Sequence, residues 1–269
     1  MMTGTLYVIG VGPGDPELLT LKAARILRDI PCICVPKGRQ EGSSLALSIV
    51  EKTIDIKDKE IIEAHFPMRK TRGQRTEHRE QNTATSTHPS PCKGEGKGGG
   101  NSLYSDNCEL DTKWNETVEI VLSMLTRGID MAFITIGDPA IYSTFFYLYD
   151  RLLELNPDLN IEIIPGVSSI NAAASRAGIS LGLADEKIAV IPATYADNLK
   201  EILEGFDTIV LMKVHRVFDK ILKTLEEMNL LNNSIYISRA GMKDERIFKD
   251  LRDMKEEDLN YFSMVIIRK

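Results

Sequence analysis

Three times in this chain an apolar run of strand character ends in a glycine- and proline-bearing turn and gives way to helical spacing. TLYVIGVG (residues 5–12) leads through Pro13-Gly14-Asp15-Pro16 into PELLTLKAARILRD (16–29). MAFITIG (131–137) leads through Asp138-Pro139 into a helical pattern in YSTFFYLYDRLLEL, and NIEIIPG (160–166) leads into SSINAAASRAG. Strands that alternate with helices are joined by crossovers, which build parallel sheets. Open α/β folds bind ligands at the carboxyl ends of such strands, so the three turns are expected at one edge.

The rest of the chain continues the alternation. IPCICVP (30–36) and IIEAHFPM (61–68) read as strands around the helical SSLALSIVEKTI. The second half offers KIAVIPA, a helix from Asn198, DTIVLMKV (207–214), a helix VFDKILKTLEEM, NSIYISRAG (233–241) and a closing YFSMVIIRK, the last expected antiparallel at an edge. A length of 269 residues suits two modest α/β domains, at about 100–200 residues each. A boundary at Pro165-Gly166 predicts an N-terminal domain over 1–166 and a C-terminal domain over 167–269, with a ligand cleft between them. Residues 70–113 differ in kind. Their only large aliphatic side chains are Leu103 and Leu110, and small polar residues crowd around CKGEGKGGG. Such a stretch buries too little apolar surface to offset its ordering entropy, which predicts a disordered insertion. Order is expected to resume at Trp114, where Trp114, Val118, Val121, Leu122 and Leu125 fall on one helical stripe.

Charge narrows the function classes. Lys plus Arg number 33 against 39 Asp plus Glu, a net charge of −6. A globally basic nucleic-acid binder is disfavoured, and any anionic ligand needs a local basic patch. The first residues lack a basic segment followed by a long apolar one, and no stretch approaches the roughly 20 apolar residues of a membrane span. A cytoplasmic protein with no membrane partner is expected. Cys32, Cys34, Cys92 and Cys108 read as ordinary thiols of a reducing compartment. His65, His78, His88 and His215 form no compact set, so no resident metal is expected.

The first turn, Gly10-Val11-Gly12-Pro13-Gly14-Asp15-Pro16, invites comparison with the dinucleotide fingerprint and fails it. Asp15 stands where the third glycine belongs, Pro13 removes a backbone donor, and a carboxylate at a helix N-terminus repels a pyrophosphate. The next strand ends Cys34-Val35-Pro36, with no acidic residue for a ribose. Asp15-Pro16 also has a plain structural use as N-cap and first helical residue. Around the other turns, Gly137, Gly166, Ser168, Ser169, Ala172 and Ala173 permit close backbone approach, and Ile141, Val167 and Met212 supply apolar walls. That composition suits an adenosyl group bound mostly by backbone, without deciding which adenosyl ligand.

LYVIGVGPGDPELLTLKAARIL, ITIGDPAIYSTFFYL, IIPGVSSINAAASRAGISL and KIAVIPAT together resemble the tetrapyrrole methylases, over essentially the whole chain outside 70–113. The first motif is shared across that superfamily. GDPAIYSTFFYL and PGVSSINAAASRAG lean toward the precorrin-2 or cobalt-precorrin-2 C-20-methyltransferases of cobalamin synthesis. The resemblance implies two α/β domains, S-adenosylmethionine as methyl donor in the cleft, a homodimer, and a first glycine loop facing the tetrapyrrole. It implies cofactor contacts at Pro13, Gly137, Asp138, Ile141, Tyr142, Ser168, Ser169, Met212 and Ala240. On the substrate side stand Gly12 and Gly14, with Lys213, His215, Arg216, Arg239 and Lys243 as candidate cations for the ring carboxylates. Asp15 is the candidate base for the C-20 proton, and any cobalt arrives within the substrate. A sister methylase acting at another ring carbon and a non-catalytic adenosyl-binding protein are the alternatives. Whether the ring is cobalt-loaded or metal-free stays open.

Overall fold

The computed structural model describes residues 3–37, 44–65, 105–195 and 198–269. Its first half contains β1 (Thr5–Gly10), α1 (Leu21–Asp29), β2 (Cys32–Lys37), α2 (Leu45–Val50), β3 (Glu60–His65), α3 (Ser105–Thr126), β4 (Met131–Thr135), α4 (Phe145–Leu155) and β5 (Asn160–Ile164). The strands form one sheet in the order β3-β2-β4-β1-β5, and every neighbouring pair is parallel. All of β4 is buried, as a central strand covered on both faces must be. Its side chains alternate between two cores. Met131 and Phe133 join Val118, Val121, Leu125, Phe145 and Leu148 under α3 and α4. Ala132 and Ile134 join Ile26, Leu27, Ile49 and Val50 under α1 and α2. The three turns therefore leave the carboxyl ends of β1, β4 and β5, strands that are neighbours in the sheet.

Two local readings need correction. The pattern over 16–29 is not one helix: a 3-10 turn at Pro16–Leu18 is followed by α1, whose N-cap Thr20 accepts the Ala23 N–H at 3.2 Å. The helix carrying Trp114 begins at Ser105, so residues 105–113 of the predicted insertion are helical. Once the apolar stripe nucleates a helix, each further residue adds a hydrogen bond without needing an apolar anchor of its own. Residues 70–104 lie outside the described residues. In the stripe, Val118, Val121 and Leu125 are buried, Leu122 packs at the rim, and Trp114 stacks on Tyr147 with ring centroids 5.3 Å apart.

The second half contains α5 (Ser169–Ala177), β6 (Ile188–Pro192), α6 (Leu199–Gly205), β7 (Thr208–Met212), α7 (Phe218–Glu227), β8 (Ser234–Ser238), β9 (Arg246–Phe248) and β10 (Ser263–Arg268). Its sheet runs β6-β7-β10-β8-β9. β6 and β7 are parallel, β10 is antiparallel to both β7 and β8, and β9 is antiparallel to β8. The last strand is thus antiparallel, but it lies in the middle of the sheet and not at an edge. Ser263 to Ile267 are all buried, because SMVII offers no polar face to water. β9 was not anticipated; three residues are too few to show a period. One face of this sheet is covered by α6 and α7. The other packs Ala172 and Ala173 of α5 against Met264, Ile266 and Ala240, so a helix that follows β5 of the first sheet lies on the second. No helix among the described residues is long and apolar enough to cross a membrane.

Candidate active site

The three turns are locked together by backbone. Gly12 N–H donates to the Gly137 carbonyl at 3.3 Å, and Gly137 N–H donates to the Gly12 carbonyl at 2.8 Å. Asp138 Oδ1 accepts the Ala140 N–H at 2.8 Å and Oδ2 accepts the Gly166 N–H at 3.0 Å. One oxygen of this candidate cofactor contact thus closes the second turn on itself, and the other joins it to the third. A side chain on Gly10 would lie 2.5 Å from the Gly137 oxygen, and one on Gly166 would lie 2.3 Å from that same atom. Gly137 is different. Its φ of +73° calls for glycine, yet a Cβ there would make only ordinary van der Waals contact, with Ser169 N at 3.7 Å and Ser168 Cα at 4.0 Å. Ser168 Oγ caps α5 by accepting the Asn171 N–H at 3.2 Å, and Ser169 is the first residue of that helix.

The first glycine loop reaches the second sheet. Gly14 has its missing Cβ 2.4 Å from Met242 Cγ, and that of Gly241 lies 3.3 Å from Pro13 Cγ and 3.7 Å from Asp15 Cβ. A fourth turn after β8, carrying the buried Ala240, therefore meets the loop of Gly12, Pro13, Gly14 and Asp15. Asp15 Oδ1 accepts the Glu17 N–H at 2.9 Å, the expected cap; its other oxygen makes no hydrogen bond among the described residues.

Tyr142 also spans the two sheets. Its hydroxyl donates to the Val190 carbonyl of β6 at 3.0 Å, and Lys213 Nζ lies 5.8 Å from its ring centroid. Tyr142 holds φ at +53° and Lys213 at +58°, a left-handed backbone that costs a non-glycine residue about 1–3 kcal/mol and gathers at ligand clamps. Ile141 beside it is exposed. Met212 ends β7, half-buried against the cluster that holds Ala240.

The five candidate cations separate into unequal groups. Burial lowers the Lys213 pKa. Burial, and then the neighbouring Arg216 charge, lower that of His215, whose buried Nδ1 has no hydrogen-bond partner among the described residues. Desolvation thus disfavours the imidazolium form of His215 and weakens it as an anion ligand. Arg239 Nε lies 2.8 Å from Asp244 Oδ2, so its charge is already opposed. Arg216 and Lys243 are exposed and make no ion pair among the described residues. No three His, Cys, Asp or Glu side chains of the described residues come together as metal ligands would.

The profile of the Tetrapyrrole (Corrin/Porphyrin) Methylases matches residues 5–254. The chain belongs to the tetrapyrrole methylases. This tetrapyrrole methylase is 31% identical over 270 residues to the cobalt-precorrin-2 C(20)-methyltransferase of Salmonella typhimurium, covering 100% of this chain and 98% of the relative. Its fold is similar to the X-ray structure of a cobalt precorrin-4 methyltransferase, at a TM-score of 0.67 and 19% identity over 98% of this chain and 94% of that one. It is also similar to the uroporphyrin-III C-methyl transferase of Thermus thermophilus complexed with S-adenyl homocysteine, at a TM-score of 0.60 and 19% identity over 98% and 92% of the two chains. The methyl donor of tetrapyrrole methylases is S-adenosylmethionine. The residues of this methylase fit that ligand: Gly137 presents bare backbone beside Ser168 and Ser169, and Ala172, Ala240 and Met212 share one cluster of small or apolar groups.

Sequence reasoning passed over two further features of this methylase. Lys213 N–H donates to the Ser263 carbonyl at 3.1 Å and Arg239 N–H to the Phe262 carbonyl at 2.7 Å. Tyr261 and Phe262 are thereby held between the two basic turns, with Tyr261 edge-on to His215 at 5.6 Å. Glu245, the second, lies behind the fourth turn. The aromatic pair was visible in YFSMVIIRK only as the start of a strand, and nothing local marks Glu245 out from its charged neighbours.

Proposed function

We propose that this tetrapyrrole methylase transfers the methyl group of S-adenosylmethionine to C-20 of precorrin-2 or cobalt-precorrin-2 in cobalamin biosynthesis. The observation that carries the reading is the likeness, over the full length of both chains, to an enzyme of that name. The domain division at Gly166, the assembly as a homodimer and a cytoplasmic location belong to the same reading. The exposed Ile120, Phe146, Tyr147, Leu155 and Ile163 supply apolar surface that a second copy would cover.

Bound adenosylmethionine supplies an electrophilic methyl on a sulfonium, so the protein's task is alignment of the acceptor carbon with it. Gly137, Ser168, Ser169, Met212 and Ala240 would hold the donor, with Pro13, Asp138, Ile141 and Tyr142 at its margin. Gly12 and Gly14 would face the ring. Arg216, Lys243 and Lys213 would meet its carboxylates, with Arg239 and His215 in lesser roles. Asp15 keeps its cap through one oxygen and would take the C-20 proton on the other.

Calorimetry tests the reading. Adenosylmethionine is expected to bind, and methylated ring to appear when precorrin-2 or cobalt-precorrin-2 is added. Binding without methylation of either ring would favour a non-catalytic adenosyl-binding protein, and no binding at all would end the assignment.

A further inference from the structure

Residues 239–245 form a tight loop in which Arg239 and Gly241 both hold left-handed backbone, at φ +54° and +77°. Met242 N–H donates to the Arg239 carbonyl at 2.9 Å, and Glu245 N–H to the Met242 carbonyl at 3.2 Å. The Glu245 carboxylate turns back into this loop and is only 10% exposed. Its Oε2 accepts the Gly241 N–H at 2.8 Å, and its Oε1 accepts from Arg176 Nε at 2.7 Å. Arg176 belongs to α5, the helix that Ser168 and Ser169 open. One carboxylate therefore fixes the backbone of the fourth turn and ties it to the helix rising from the third. On its other side the same turn meets Pro13 and Asp15 of the first loop.

An arginine–carboxylate pair whose arginine lies at the surface is worth little on its own. A charged acceptor on a backbone N–H is a stronger, more directional bond, and here it holds the Gly241 N–H of a turn that contains two left-handed residues. We propose that Glu245 is a positioning residue for the adenosyl end of the site, holding the Ala240-Gly241 backbone where the methyl donor rests and the first loop closes. It does not touch the donor; it acts through the turn. The assignment rests on the function proposed above, in which Ala240 contacts adenosylmethionine.

The test is steady-state kinetics of the full chain, with adenosylmethionine varied, beside direct binding of adenosylmethionine to the wild type. Glu245→Ala is expected to raise the KM for adenosylmethionine about tenfold or more, while kcat at saturating donor stays within about threefold. Glu245→Gln keeps an oxygen for the Gly241 N–H and is expected to return KM to within about threefold of wild type. Glu245→Asp keeps the charge but draws the acceptor away from Gly241, and is expected to raise KM about fivefold; it decides the matter if the alanine variant does not fold. A fall in kcat with unchanged KM is what a merely structural role would give, and it would overturn the proposal. So would a KM unchanged in both the alanine and the aspartate variants while the wild type binds donor. A wild type that binds no adenosylmethionine overturns the functional reading itself, and the role of Glu245 with it.

Discussion

Gly10, Gly137 and Gly166 look alike in the sequence, each at the end of an apolar strand, but they do different work. At Gly10 and Gly166 neighbouring backbone occupies the space a side chain would need, whereas at Gly137 a Cβ would meet only ordinary contacts and the left-handed backbone alone calls for glycine. Gly166→Ala should therefore cost about 3 kcal/mol through overpacking, seen as a fall in Tm of about 5 °C or more. Gly205→Ala, at the end of α6 with nothing within 4 Å of its added methyl, should be stabilising by about 0.5–1 kcal/mol. Equal effects of the two would contradict the contact picture. Asp15→Asn keeps the capping acceptor and removes the base, so turnover should fall about a hundredfold or more with Tm little changed; near-normal turnover in a folded variant would refute the base. Arg216→Glu should raise the KM for the tetrapyrrole far more than that for adenosylmethionine, and equal effects would count against the basic patch. At this scale the sequence placed the turns correctly, because glycine, proline and capping aspartate carry local signals. It did not show the desolvation of His215 or the ion pair of Arg239 with Asp244, which are set by neighbours it does not display.

Among the elements, β2 carries a pH dependence that can be measured. Burial, followed by the Glu60 charge, pushes the Cys32 thiol from 9.0 up to about 11. Burial, followed by Cys32, pushes Cys34 from 9.0 up to about 12. Both thiols stay protonated in the native state at a pH where the unfolded chain has lost its protons. Their contribution to stability is thus fully present below about pH 9 and declines as pH rises from there through about 11 to 12. The denaturant midpoint should fall over that range, and replacing both cysteines by alanine should flatten the fall; an unaltered slope would show that other groups cause it. Most elements were legible from the period of their apolar residues. Which strand lies beside which was less so. β10 has a run of apolar residues that fits a central strand as well as an edge, and its position between β7 and β8 is set by pairing with residues far along the chain. The start of α3 at Ser105 was hidden because a helix anchored at Trp114 propagates through polar sequence.

For the molecule as a whole, the connections between the two sheets matter most. The first loop meets the fourth turn, Tyr142 reaches β6, and α5 leaves β5 to lie on the second sheet. These contacts bring turns from both halves of the chain together, and only the first three turns could be grouped from sequence alone. The net charge of −6 is set against a proposed substrate bearing carboxylates, so the cations near β7 and the fourth turn that make no ion pair among the described residues would carry a burden that overall composition obscures. The most direct test is a mass-resolved assay in which the full chain receives adenosylmethionine with precorrin-2 and cobalt-precorrin-2 in parallel, the new methyl being located on the ring. One added methyl at C-20 of at least one of them, with adenosylhomocysteine formed in equal amount, is the predicted result. A methyl at any other carbon, or none with either ring, would contradict it.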